Sequence, residues 1–360
     1  MSLSEVKVNE KKYKYEILWF MVFMGTLITF EAIFGIYYIA IGKVLTKTLI
    51  FSFVFFLIGG IGTGPGAHRY FSHHAFKATR PFKIFLIFSQ QISGMKSIIS
   101  WCRIHRVHHK FSDTEADPTN IKRGLFFSFL GWLFIAPTPE CAHEYNRIDL
   151  DDLFNDSDVA FQYKHYPTLF ITITQFLPTI IPYLIWNESI YVAFSMNMLR
   201  MASNYIQLLF GNGFVHWNGP RPYDATSSAT DNVLYNIITL GEGFHNYHHT
   251  FPFDYRNNEF SSLWYVNSLS TFFIELCELF GLVYDKKIAS PDMIKSRVLK
   301  TGDGSHWIAK REALRAAESV YSSGNDSGSV VRNVDEALKL ESLSEVIKDV
   351  KNLQEKLVCF

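Results

Sequence analysis

Residues 48–73 read TLIFSFVFFLIGGIGTGPGAHRYFSH. No charged side chain interrupts the stretch from Thr48 to Gly66. A helix rises about 1.5 Å per residue, so this run is long enough to cross the ~30 Å hydrocarbon layer of a bilayer. It leads directly to His68 and His73, which places two imidazoles just beyond one membrane face. Three further runs have the same character: Ile17 to Ile41, Thr168 to Trp186 and Ser189 to Gly211. Gly42 to Lys47 joins the first pair and Asn187-Glu188 the second, so the spacing predicts two helical hairpins whose tips lie on the same side. Spans are therefore expected at 17–41, 48–66, 168–186 and 189–211.

Composition points the same way. Of 360 residues, 48% are hydrophobic and 16% aromatic against 19% charged, and the apolar residues are gathered into runs. Lys+Arg and Asp+Glu balance at 34 each, which leaves no basic surplus and argues against nucleic acid as a partner. The four cysteines are scattered without a CxxC pair and read as reduced thiols. Lys7, Lys11, Lys12 and Lys14 precede the first run, but that run is of membrane length rather than the ~7–15 residues of a signal core, so a retained first span is expected. Together with the Arg and Lys between the hairpins, these lysines predict that both termini are cytosolic. Cysteine second from the end does not fit a prenylation signal.

The segments Phe82 to Met95, Gly124 to Ile135 and Leu263 to Val283 are apolar but short or interrupted, and are expected to lie at the interface. The expected organisation is a membrane domain over 1–285, with a cytosolic cap from 67–167 and 212–285, and a polar tail over 286–360. In that tail, 322–329 reads as a linker and 331–357 as an amphipathic helix.

Most of the thirteen histidines are clustered: His68 and His73; His105, His108 and His109; His245, His248 and His249; and His216, four residues after Asn212. Residues three and four apart share a helix face, so each HxxHH group is expected to point together at one site. Asn212 and His216 can do the same. His68 and His73 are five apart, about 140° on a regular helix, so a break or end of the helix is expected there. All four groups fall on the cytosolic side of the expected spans. Nine histidines and an asparagine exceed what one zinc ion takes; imidazole suits iron, and the lack of clustered thiolates argues against iron–sulfur clusters. Two iron ions are the expected cofactors. His74, His143, His165 and His306 fall outside these patterns.

HRYFSH, HRVHH and GEGFHNYHHTFPFDY, in this order and interleaved with two hydrophobic hairpins, resemble the animal acyl-CoA desaturases of the endoplasmic reticulum membrane. HKFSDTEADPTN, RGLFFSFLGWL and GPRPYD strengthen the likeness, which runs from about Tyr13 to Tyr284. The resemblance implies an all-α integral membrane protein with four transmembrane helices, capped by a helical cytosolic domain holding a histidine-rich di-iron centre at the end of a buried acyl tunnel. It implies metal roles for His68, His73, His105, His108, His109, His216, His245, His248 and His249, with Asn212 reaching iron weakly or through water. It also implies a long-chain acyl-CoA substrate, O2, and electrons from cytochrome b5 and its NADH-dependent reductase. The chain departs from the family at Ile104, where an acid often precedes the second box, and at Gly213 to Val215.

Two expectations concern substrate contact. Gly64, Gly60 and Phe56 lie one, two and three turns back from His68, and Phe56 and Gly60 are expected to help set tunnel depth. Arg103, Lys122 and Arg123 are expected either to attract the coenzyme A phosphates or an acidic cytochrome, or to be ordinary solvated charges. The same ligand set also serves a hydroxylase or a conjugase, and a metal-binding membrane protein without turnover is the remaining alternative.

Overall fold

The computed structural model describes residues 15–259 and 268–322. They divide into two compact units with the boundary after Asp303. The first unit therefore includes the helix Pro291–Lys300, which buries Ile294 and Val298. In the second unit the helix Trp307–Ser322 is described; the expected linker beyond Ser322 and the amphipathic tail helix lie outside the described residues. So do Lys7 to Lys14 and the first part of the apolar segment that ends in the helix Leu269–Leu279.

Three helices among the described residues are long and apolar enough to cross a membrane: Trp19–Ala40 (α1), Thr46–Ser72 and Tyr166–Trp186. The first buries Ala32 and Gly35 and leaves Phe20, Phe23 and Ile33 exposed, as suits a lipid-facing helix. The fourth expected span is a continuous helix, Ile190–Asn212, but Asn197, Arg200, Asn204 and Gln207 lower its hydropathy below that of the other three. Asn197, Arg200 and Asn204 are buried and turn their polar groups inward, whereas Gln207 Nε2 is buried without a hydrogen-bond partner. Asn197 Nδ2 donates to the Thr174 carbonyl (3.0 Å), Arg200 Nε to Asn197 Oδ1 (3.0 Å) and Asn204 Nδ2 to the Phe56 carbonyl (3.0 Å). Ser195 donates to Glu31 (2.7 Å). Buried polar side chains are tolerated where the protein itself supplies hydrogen-bond partners.

The hairpin tips do meet on one side. Glu188 is buried and accepts from the Leu45 amide (3.0 Å) and the Thr48 hydroxyl (2.6 Å), while Trp186 Nε1 donates to Thr48 (2.9 Å). One acid from the second tip thus fastens the start of helix Thr46–Ile61 (α2).

The expected break at His68 takes a different form. From Gly62 to Ser72 the chain continues α2 as a π-helix, with Pro65 inside it. Proline in an α-helix clashes with the carbonyl four residues back, and the wider i→i+5 winding relieves that clash. The same winding brings residues five apart onto neighbouring positions, and the His68 and His73 rings are 5.2 Å apart. Gly62 permits this segment to press against helix Arg80–Ser93 (α3): a Cβ there would lie 2.1 Å from the Gln90 nitrogen and 2.2 Å from the Ser89 carbonyl carbon. Phe71, Phe82, Leu86, Ile98 and Ile99 form the core between this segment, α3 and helix Ile98–Phe111 (α4).

The segment Gly124 to Ile135 is interrupted, as expected: a short α-helix, Leu125–Phe129, and a 3-10 turn, Gly131–Leu133, lie on either side of Leu130. The expectation of a wholly α fold needs correction: Lys77–Ala78 pairs antiparallel with Val283–Tyr284, tying the end of the first histidine segment to the end of the cap.

The backbone contact at Gly62 carries a prediction. Gly62→Ala forces two helices apart where no flexible side chain can yield, at a cost of about 1–3 kcal/mol. Thermal unfolding of the detergent-purified variant should show a clear drop in Tm; an unchanged Tm would mean the helices do not approach this closely.

Candidate metal centre

Each histidine box is delivered by a separate element. The first comes from the π-helix and its end, the second from α4, the third from helix His245–Thr250, and His216 from the 3-10 turn Phe214–His216 that follows Asn212. The four meet. His68, His73, His105, His109 and His248 form one group of possible metal ligands, and His108, His216, His245 and His249 a second, with the ligand atoms in each within 4.8 Å of one another. The stacked rings of His109 and His249, 4.2 Å apart, place the groups side by side.

All nine expected histidines are thus brought together, but the HxxHH boxes do not each serve one site. In each box the pair four apart goes to one group and the histidine between them to the other: His105 and His109 against His108, and His245 and His249 against His248. Helix geometry explains the split. Residues four apart differ by about 40° and the one three along falls about 60° to the other side, so it faces across to the neighbouring group.

The outer ring nitrogens of four of the histidines are anchored. His68 Nδ1 meets Glu242 (2.9 Å), His108 Nδ1 meets Asp117 (2.9 Å), His216 Nδ1 meets the Ser228 hydroxyl (2.7 Å) and His248 Nδ1 meets Asn257 Oδ1 (3.2 Å). An imidazole that donates from Nδ1 presents an Nε2 lone pair inward. His68 Nε2 and His248 Nε2 are 2.8 Å apart with both Nδ1 atoms so engaged, and His248 Nε2 is 2.9 Å from His109 Nε2. Nε2 of His108 and of His216 is buried without a hydrogen-bond partner. Converging lone pairs repel one another unless a cation lies between them, and anchoring through the far nitrogen is the usual support of a histidine that binds metal. The three described cysteines are buried outside both groups, which leaves imidazole as the ligand type.

The electrostatics suit metal binding. Burial first, then the neighbouring histidines, hold His105, His109, His248 and His249 well below the ordinary value, so they stay neutral. Burial raises the Glu242 carboxyl, but Arg69 and His68 more than offset it and bring it down to about 2, so it remains an acceptor. Asp117 likewise stays low beside His108, despite burial.

The groups border an apolar cavity of about 1040 Å3, near the upper end of the ~300–1,000 Å3 common for ligand pockets. His105, His108 and Asn212 line it, as do Ile104 and, along α1, Met21 and Ile33. Trp101 stacks on His105 at 4.8 Å and forms part of the wall. Residues 45–266 match the model of the family described as fatty acid desaturase. The chain is 38% identical to an acyl-CoA Delta(11) desaturase of Trichoplusia ni, over 86% of this chain and 87% of that protein. It is also 38% identical to a Delta(9)-fatty-acid desaturase of Caenorhabditis elegans (83% and 88% covered) and to a stearoyl-CoA desaturase of Sus scrofa (81% and 80%).

The chain belongs to the fatty acid desaturase family.

For a member of this family, the placement of the other expected site residues is informative. Asn212 ends its helix, lines the cavity, and accepts from Ser128 through its carbonyl (2.8 Å). Phe56 and Gly60 are not among the residues lining the cavity; Gly60 faces Leu240 and Gln207. Lys122 is exposed, Arg103 is half-buried, and the Arg123 guanidinium lies over the Phe127 ring at 3.7 Å. His74 is exposed beside Asp152 and His143 beside Glu144, outside both groups. Glu242, Asp117, Ser228 and Asn257 went unrecognised in the sequence. The first two stand within the quoted motifs, but an acid near a histidine in sequence does not reveal which ring it will meet.

Burial of so many neutral imidazoles makes stability depend on pH. His73, His105, His109, His216, His245, His248 and His249 are held well below 6.5 in the folded chain, whereas in the unfolded chain they take up protons near that value. The unfolded state therefore binds more protons as pH falls, and stability that is complete above about 6.5 is lost below it. His108, raised by Asp117 against the effect of burial, acts in the opposite sense but is outnumbered. The Tm of the metal-free protein should drop between about pH 7.5 and 5.5; a flat or rising profile would contradict this account.

Proposed function

We propose that this chain is a membrane acyl-CoA desaturase that introduces a double bond into a long-chain fatty acyl-CoA. The observation that carries this reading is the pair of all-histidine groups, side by side, at the edge of one large apolar cavity. His68, His73, His105, His109 and His248 would hold one iron ion, and His108, His216, His245 and His249 the other, with Asn212 adjoining the second directly or through water. Two irons, when bound, supply the activation of O2 that removal of hydrogen from an unactivated methylene requires and that no side chain provides. The chain's own residues do the placing. The apolar walls hold the acyl chain extended past His105 and His108 and keep water from the reacting carbons, while Trp101 fixes the plane of His105.

In the same reading, Ile190–Asn212 crosses the bilayer as a fourth span, the protein is a multi-pass component of the endoplasmic reticulum membrane with both termini cytosolic, and cytochrome b5 with its NADH-dependent reductase supplies electrons. The relatives at 38% identity are named for different double-bond positions, Delta(11), Delta-12 and Delta(9), so overall similarity does not choose among them.

Expression in a desaturase-deficient yeast, with gas chromatography of the fatty acids, tests the activity. New monounsaturated chains should appear with the wild type and vanish with His105→Ala. Hydroxylated or conjugated products would favour the related oxygenase activities, and no product at all would remove the catalytic reading. Charge reversal at Lys122 and Arg123 separates two roles: a weakened acyl-CoA affinity marks them as headgroup contacts, and a slowed reduction by cytochrome b5 as a docking patch.

A further inference from the structure

Among the described residues, the side chains that meet the outer ring nitrogens of one histidine group differ from those that meet the other's. Beside the five-histidine group, Glu242 receives His68 Nδ1 (2.9 Å), Arg69 Nη2 (2.9 Å) and the Asn257 amide, whose oxygen in turn faces His248 Nδ1 (3.2 Å). Beside the four-histidine group the links run through the loop after α4. Asp117 Oδ1 meets His108 Nδ1 (2.9 Å), and Asp117 Oδ2 accepts from the Asp113 amide (3.0 Å). Asp113, held at a left-handed φ of 65°, accepts from both the amide (3.0 Å) and the hydroxyl of Ser228. Ser228 Oγ then stands 2.7 Å from His216 Nδ1.

The proton count along this last link decides the state of His216. A serine hydroxyl has one proton, and here it is directed at the Asp113 carboxylate. Towards His216 the hydroxyl oxygen can then only accept, so the proton of the neutral imidazole must be on Nδ1. That leaves the buried, unpartnered Nε2 as a lone pair facing the other three histidines. Without the carboxylate the hydroxyl is free to turn and donate to Nδ1, which favours the tautomer that carries its proton on Nε2 and cannot bind metal.

We propose that Asp113, acting through Ser228, is a positioning residue that sets the tautomer of His216 and so governs metal occupancy of the four-histidine group independently of the five-histidine group. This rests on the ligand assignment above. Replacing such an outer partner typically weakens metal retention about 10–100-fold.

The test is iron content of the full-length protein, purified in detergent, loaded with ferrous iron and challenged with a chelator, with Tm and Mössbauer spectra recorded in parallel. Asp113→Ala and Ser228→Ala should each fall from about two irons per chain towards about one, with one Mössbauer component lost and Tm of the metal-free form little changed. Ser228→Thr, which restores the hydroxyl, should keep both. Glu242→Gln should lose the other component. His216→Ala separates the two levels of the argument: if it retains all its iron, the ligand assignment fails. If His216→Ala loses iron while Asp113→Ala and Ser228→Ala keep both ions, or if these two lose both ions together, the relay is overturned and the ligand assignment stands.

Discussion

The structure is organised around the mutual repulsion of imidazole lone pairs that have been drawn into a buried space. His68 and His248 face each other through Nε2 at 2.8 Å while their opposite nitrogens are engaged by Glu242 and Asn257. Such an arrangement is electrostatically unfavourable in the metal-free chain, and a cation placed between the rings would relieve it, because folding and ligand positioning are coupled. Everything around it serves to keep the rings from turning away. The carboxylates of Glu242 and Asp117 stay ionised in buried surroundings because Arg69, His68 and His108 compensate their burial.

Helix winding is the means by which one-dimensional spacing becomes a two-centre geometry. Regular α winding in the second and third boxes divides each between neighbouring groups, and the two centres therefore share elements. The first box has a different spacing and a different solution: the π-helix from Gly62 to Ser72 lets a five-residue interval act as one turn. Pro65 inside that segment and the close approach at Gly62 are parts of the same device, since a regular α-helix would suffer at the first and a side chain would obstruct the second.

The long apolar helices and the two histidine groups are joined by the apolar cavity. Its wall includes lipid-facing α1 on one side and the second histidine box on the other, so a hydrophobic ligand can lie against both. Ile104 contributes to this wall where an acid would have offered a polar contact. Polar residues of Ile190–Asn212 turn into hydrogen bonds with the Thr174 and Phe56 carbonyls, which lets a helix of mixed composition stand among apolar neighbours.

The sequence alone determined the long apolar helices, the shared side of the hairpin tips and the histidines that meet, because length, hydropathy and residue type are local properties that survive any packing. It also carried the family resemblance, through motifs whose order is itself one-dimensional. Only the tertiary structure decided how nine histidines divide between two groups, since that depends on angles of about 40° and 60° around a helix and on which partner faces it. It likewise decided that Ser228 and Asp113, far from His216 in one case and far from Ser228 in the other, stand in one hydrogen-bonded line. Phe56 and Gly60 illustrate the limit from the other side: sharing a helix face with His68 does not place a residue on the cavity, because the cavity's course is set by how α1 and Ile190–Asn212 pack, and no single helix contains that information.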